Sequence, residues 1–182
     1  MRNLLHYLVL HCTATPEFRA VTKEDVIKWH TSPVSQGGRG WTRPGYRDLI
    51  YLEGQLVNLV PFNTDDYVDP SEISNGAIGL NGIAGHVAYV GGMDQQNKLP
   101  KDTRTKGQLY TLEVYVKYTV MRHPLIEVLG HYQAPHAQGK ACPSFNVPEW
   151  LRSIHIPELN IYSGPASNPV AMNTPTTPEV EA

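Results

Sequence analysis

Three side chains of metal-binding type stand where apolar runs of this chain give way to polar loops. His11 ends the run LVLH, and His131 and Cys142 fall within GHYQAPHAQGKACPSF, residues 130–145. Imidazole nitrogens and thiolates are ligands that Zn2+ favours, and a catalytic zinc takes three protein ligands and keeps its fourth position for water. His11, His131 and Cys142 would make such a set, and His136 is a possible stand-in for one imidazole. Each residue alone has a plainer reading: a histidine capping a core strand, a small buried cysteine, a loop residue. Lys140 lies two positions before Cys142, and in extended chain those side chains project to the same side. An ammonium there could stabilise the oxyanion that forms when activated water attacks an amide; by itself it reads as a solvated charge. Tyr46 follows a Pro-Gly turn in RPGYRDLIY. Its phenol could donate a hydrogen bond or relay a proton, although most tyrosines so placed only cover a core edge.

The elements that must hold these residues can be read from periodicity and punctuation. Leu4 to Val9 is a β-favouring apolar run that delivers His11. Alternation along a strand sends His11 and Cys12 to opposite faces, so only one can reach a given site. Thr22 is the N-cap of a helix with Glu24 and Asp25 in its first turn and Val26, Ile27 and Trp29 on its apolar side. Residues 31–40 form a Gly/Ser/Pro loop. Arg47–Leu52 and Gln55–Val60 flank Glu53-Gly54 as a hairpin. Residues 63–85 read as irregular, and His86–Val90 as a strand. Thr105 and Gln108 fit a capping box that opens a helix ended by Pro124, with Leu109, Leu112, Val116 and Val120 at helical spacing. Leu125–Leu129 is a short strand leading to His131, and Pro148–Ser153 a last short helix. Strands alternating with helices plus one hairpin predict an α/β fold, a mixed central sheet flanked by helices, in one domain over residues 1–156. From Pro157 to Ala182 the composition turns Pro-rich without Lys or Arg, which predicts a flexible tail.

Bulk properties exclude several classes of partner. The chain has 182 residues, 41% of them hydrophobic and 18% charged, with a formal net charge of -2. That balance gives no basic patch for nucleic acid or anionic lipid, and no apolar run reaches the ~20 residues of a membrane-crossing helix. Met1 to Leu10 lacks the pattern of a signal peptide, so synthesis in the cytoplasm is expected. Nothing argues against a monomer.

Taken together, HCTAT at 11–15, Trp29-His30, Gly45-Tyr46, HVAYVGGMD at 86–94 and the run from His131 through Lys140-Ala-Cys-Pro-Ser-Phe145 resemble the type-2 N-acetylmuramoyl-L-alanine amidases. That family holds amidase-type phage lysozymes and peptidoglycan recognition proteins. The resemblance covers roughly residues 1–153 and is nearest to the phage and prophage branch. It implies Zn2+ on His11, His131 and Cys142, with Tyr46 and Lys140 as the catalytic side chains. The substrate it implies is peptidoglycan, cut at the amide between N-acetylmuramic acid and L-alanine, so a protein made in the cytoplasm would reach the wall by another route.

The chain departs from the family at two places. Arg47 stands where relatives usually have His after the motif tyrosine, and Gly76 stands where many have a loop His; both positions are expected to touch the substrate groove and the groups around the ligands. His6, His86, His123 and His155 read as structural or surface residues. Some relatives lack the cysteine and bind the wall without cutting it, so a recognition module is the alternative reading. A purely structural zinc would need a fourth protein ligand, and Cys12 faces the wrong way.

Overall fold

The computed structural model describes residues 2–164. A five-stranded mixed sheet in the order β5-β4-β7-β2-β9 forms its centre. The strands are β2 (Tyr7–Cys12), β4 (Asp48–Ile50), β5 (Leu56–Asn58), β7 (Ala84–Tyr89) and β9 (Glu127–Gly130). Only the β4–β5 hairpin is antiparallel; β4–β7, β7–β2 and β2–β9 all run parallel. Parallel strands need crossovers, and two of these carry the helices α1 (Lys23–Thr31) and α2 (Lys106–Arg122). Helix α3 (Val147–Ser153) follows the loop that bears Cys142. Short pairs, β1 (Asn3–Leu4) with β6 (Tyr67–Val68) and β3 (Thr15–Pro16) with β8 (Gly92–Met93), fasten the periphery. The fold class is the one the sequence predicts.

The predicted capping box of α2 is present, and the predicted N-cap of α1, Thr22, proves to be half of a second one. Thr22 Oγ1 accepts from Asp25 N–H while Asp25 accepts from Thr22 N–H, and Thr105 and Gln108 do the same on α2. The buried face of α2 is turned from the expected one. Gln108, Leu112, Val116 and Thr119 are buried, whereas Leu109 is 36% exposed. Gln108 explains the rotation. Its Nε2 donates to Val90 O at 2.9 Å and Ile50 O at 3.3 Å, so one side chain caps the helix and ties it to the strand ends.

The sheet divides the core. Leu8, Leu10, Cys12, Val87 and Tyr89 pack against α2 and α3. Val26 of α1 packs on Leu49, Ala88 and Val90 on the opposite side. The division expected at Pro157 falls inside packed chain. Asn160 is buried and its Nδ2 donates to Ile126 O at 2.8 Å and Pro124 O at 2.9 Å; Ile161 bridges to Val128 on the edge of β9. These residues supply the edge strand with polar partners and the core with Ile161, which composition alone does not reveal. The rest of the expected tail, residues 165–182, lies outside the described residues.

Replacing Gln108 by Ala removes the reciprocal cap and strands the buried Val90 carbonyl. Urea unfolding should show a loss of about 2–3 kcal/mol; a midpoint within error of wild type would count against the tie between helix and sheet.

Candidate metal centre

Strand β2 is flanked by β7 and β9, both parallel to it, with His11 opposite Ala88 and Leu10 opposite Gly130. The chain leaves β9 at Gly130 and turns at once into a 3-10 turn, His131–Gln133, so His131 arrives beside His11. Gln133 Oε1 accepts from Gly130 N–H at 2.9 Å and holds that turn. The loop with Cys142 returns to the same place, because Tyr132 N–H donates to Cys142 O at 2.9 Å. The three ligand atoms, one each from His11, His131 and Cys142, lie within 4.8 Å of one another. His11 Nδ1 is 3.1 Å from His131 Nδ1 and 3.7 Å from Cys142 Sγ. His11 is buried and the other two half-buried, which leaves the cluster open on one side.

The donor set suits zinc. Two neutral imidazoles and one thiolate make a borderline-soft set, and the half-buried members leave approach for a fourth, non-protein ligand. Burial holds His11 far below the ordinary imidazole range, with the neighbouring imidazoles adding to it, and His131 falls to about 4 for the same first reason. Both rings are therefore neutral ligands at pH 7. Burial pushes the Cys142 thiol well up, with the nearby Lys140 charge acting the other way. A cation in the cluster would reverse that penalty, since a metal-bound thiol gives up its proton. Cys12 N–H already donates to Cys142 Sγ at 3.2 Å. Cys12 itself turns to the α2 and α3 core, its Sγ 3.7 Å from Ser144 Oγ.

Tyr46 is placed by a packing device. His30 stacks on Trp41 with ring centroids 5.0 Å apart, and its Nδ1 accepts from Gly45 N–H at 3.0 Å. A Cβ on Gly45 would press on both rings, 3.0 Å from Trp41 and 3.3 Å from His30. With no side chain there, the backbone comes close enough to bring the Tyr46 ring to 5.2 Å from His11. The Tyr46 hydroxyl donates to Cys12 O at 3.1 Å. Burial raises its pKa far above the ordinary phenol value, so it is a donor and not a base at neutral pH. Lys140 is exposed on the rim of the Cys142 loop, near enough for its charge to act on His131 after burial has done most.

Other sequence candidates lie elsewhere. His136 is exposed and outside the ligand group. His6 and His155 are exposed, and His123 pairs with Asp66 at 2.8 Å. Arg47, expected at the groove, turns away from the cluster. It donates to Tyr115 Oη at 2.7 Å and Asp48 Oδ2 at 3.3 Å, and lies 3.7 Å from the Phe62 ring. His86 is the residue that sequence reasoning under-read. It is fully buried and its Nδ1 is 3.1 Å from His11 Nε2. Burial first, then the His131 and Arg47 charges, push it down to about 3. The available signal was a histidine inside an apolar strand, which must find a partner.

No protein-family model matches the chain, and no curated protein does. Solved structures do match in fold. The endolysin of Thermus scotoductus bacteriophage Ph2119 superposes with a TM-score of 0.58 at 20% identity, over 88% of this chain and 87% of that one. The N-acetylmuramoyl-L-alanine amidase LysC of Clostridium intestinale gives 0.59 at 18%, over 84% and 87%. Peptidoglycan recognition protein LE, solved with a monomeric peptidoglycan fragment, gives 0.61 at 16%, over 88% and 84%. The fold is thus the one shared by amidase endolysins and peptidoglycan recognition proteins. Within that fold, this chain carries two imidazoles and a thiol converging at the end of the central strands.

His30 makes a prediction about acid. It is held at about 4, against the ordinary 6.5, chiefly by burial. Between those values the unfolded chain binds a proton that the folded chain refuses, so stability falls as pH falls through that window. Wild-type protein should have a lower urea midpoint at pH 5 than at pH 7. In His30→Asn, whose Oδ1 accepts from Gly45 without titrating, the slope should be shallower; identical slopes would remove His30 from the account.

Proposed function

We propose that this protein is a zinc-dependent N-acetylmuramoyl-L-alanine amidase, a hydrolase that cuts the amide joining the lactyl group of N-acetylmuramic acid to L-alanine in peptidoglycan. The observation that carries the reading is the His11–His131–Cys142 cluster, with ligand atoms within 4.8 Å, in a fold shared with amidase endolysins. His11, His131 and Cys142 would hold Zn2+. Bound there, zinc supplies Lewis acidity and brings the pKa of water toward ~7. The side chains do the rest. Lys140, on the rim beside Cys142, offsets the negative charge that develops on the carbonyl oxygen. Tyr46, which keeps its proton at neutral pH and donates a hydrogen bond to Cys12 O in the resting site, would turn that donor to the oxygen or the attacking water, its ring fixed against His11. The half-buried flank of the cluster is where the lactyl carbonyl enters, and peptidoglycan is the partner.

A second reading, wall recognition without cutting, draws on the likeness to peptidoglycan recognition proteins. The two readings differ in one assay. Purified peptidoglycan is incubated with the protein, with and without a chelator, and new L-alanine amino groups are counted. Chelator-sensitive release is expected. Retention on the wall with no release would replace the amidase by the recognition module.

Two variants test the parts. Cys142→Ser should weaken zinc binding and lower amide release by more than about 100-fold; full activity would break the ligand set. Lys140→Met should keep zinc and lower kcat by about 10²–10³. A change in KM alone would make Lys140 a binding residue instead.

A further inference from the structure

We propose that His86 is a positioning residue for the metal centre: its Nδ1 accepts the Nε2 proton of His11, which fixes the tautomer and ring angle that direct His11 Nδ1 to the ion. The inference rests on the proposed zinc site and concerns a residue outside it.

The geometry separates the two nitrogens of His11. Nδ1 faces the other ligands, 3.1 Å from His131 Nδ1 and 3.7 Å from Cys142 Sγ. Nε2 lies on the other side of the ring, 3.1 Å from His86 Nδ1. An imidazole that ligates through Nδ1 must carry its proton on Nε2, and that proton needs an acceptor in a buried setting. His86 Nδ1 is the partner at hydrogen-bond distance.

The placement of His86 follows from the sheet. In the parallel register of β2 and β7, His86 lies opposite Val9 and His11 opposite Ala88, so the two histidines project from the same face one pleat apart. β7 is buried along its whole length. Arg47 N–H donates to His86 O at 2.8 Å, which pins the backbone. From the loop side, Gly76 lies flat against the ring: a Cβ there would overlap His86 Nδ1 and Cγ and also the Gly45 carbonyl. The ring therefore has little room to turn from His11.

A purely structural role accounts for this poorly. His86 Nε2 is buried and has no partner among the described residues. An orphaned polar atom in a core costs stability. An apolar residue of the same shape would avoid that cost, so the imidazole is kept for what Nδ1 does.

The test uses zinc affinity, read by competition with a chromophoric chelator, in wild type, His86→Phe and His86→Asn. Phe keeps ring volume and removes the acceptor; the Asn Oδ1 falls near the place of Nδ1. Phe should lower affinity about 10–100-fold, and Asn should restore it to within about threefold. Wild-type affinity in the Phe variant, or equal losses in both, would overturn the proposal. Should the Phe variant not fold, long-range 1H–15N spectra of zinc-loaded wild type decide: a proton on His11 Nε2 supports the assignment, and zinc on Nε2 overturns it. A wild-type protein that takes up no zinc would bring down the amidase reading and this inference together. Zinc uptake with an indifferent Phe variant would remove this inference alone.

Discussion

The parallel pairing of β2 with both β7 and β9 is the constraint on which the rest depends. His11 and His131 are 120 positions apart, and His11 and Cys142 are 131 apart. No local motif could bring them together. The register that sets Leu10 opposite Gly130 does so, because β9 then ends one residue short of the level of His11 and releases His131 beside it. Cys142 follows, tied by Tyr132 N–H to its carbonyl and by Cys12 N–H to its Sγ. The closure entropy of these long loops is met by the sheet and its apolar faces, so the site inherits its order from the core.

That inheritance has an electrostatic consequence. The sheet buries imidazoles, and desolvation keeps them neutral. The same burial opposes ionisation of Cys142. The cluster is therefore two ready ligands and one that needs a cation beside it. A divalent ion there would complete the balance, whereas Lys140, exposed to solvent, acts only from the rim. Tyr46 follows the same logic in reverse: burial keeps its proton on, so the group held against His11 can only donate at neutral pH.

How much of this was legible in the sequence varies by element. The helix starts were plain, because Thr22 as N-cap and Thr105 paired with Gln108 declare their own geometry, although the reciprocal bond from Thr22 N–H to Asp25 was seen only in the structure. β2 and the hairpin were legible in kind from apolar runs and Glu53-Gly54 but not in extent: β2 runs Tyr7–Cys12, and the hairpin strands are the shorter Asp48–Ile50 and Leu56–Asn58. The rotation of α2 was not: a Leu at position 109 looks more buried than a Gln at position 108, until two carbonyls at the strand ends ask for a donor. Pro157 looked like the start of a tail, because composition cannot see that β9 is an edge in want of a partner. At the site, the types of His11, His131, Cys142, Tyr46 and Lys140 were readable. Their convergence was not, since register between strands is a property of the whole sheet.

Arg47 and Gly76 show why departures from a pattern are best judged in place. Arg47 closes a buried network with Asp48 and Tyr115 on the far side of the sheet, where it neither meets the cluster nor competes with it. Gly76 is different. The space a side chain would need there is filled by His86 from the neighbouring strand. With the His86 ring and the Gly45 carbonyl where they are, no side chain fits at 76 on this backbone. Glycine at 76 leaves the room that the His86 ring occupies, and that ring stands on a central strand of the sheet. A ring on a central strand is held more tightly than one on a loop, and His11, bonded to it on one side and facing the ligands on the other, has its orientation set by the sheet itself.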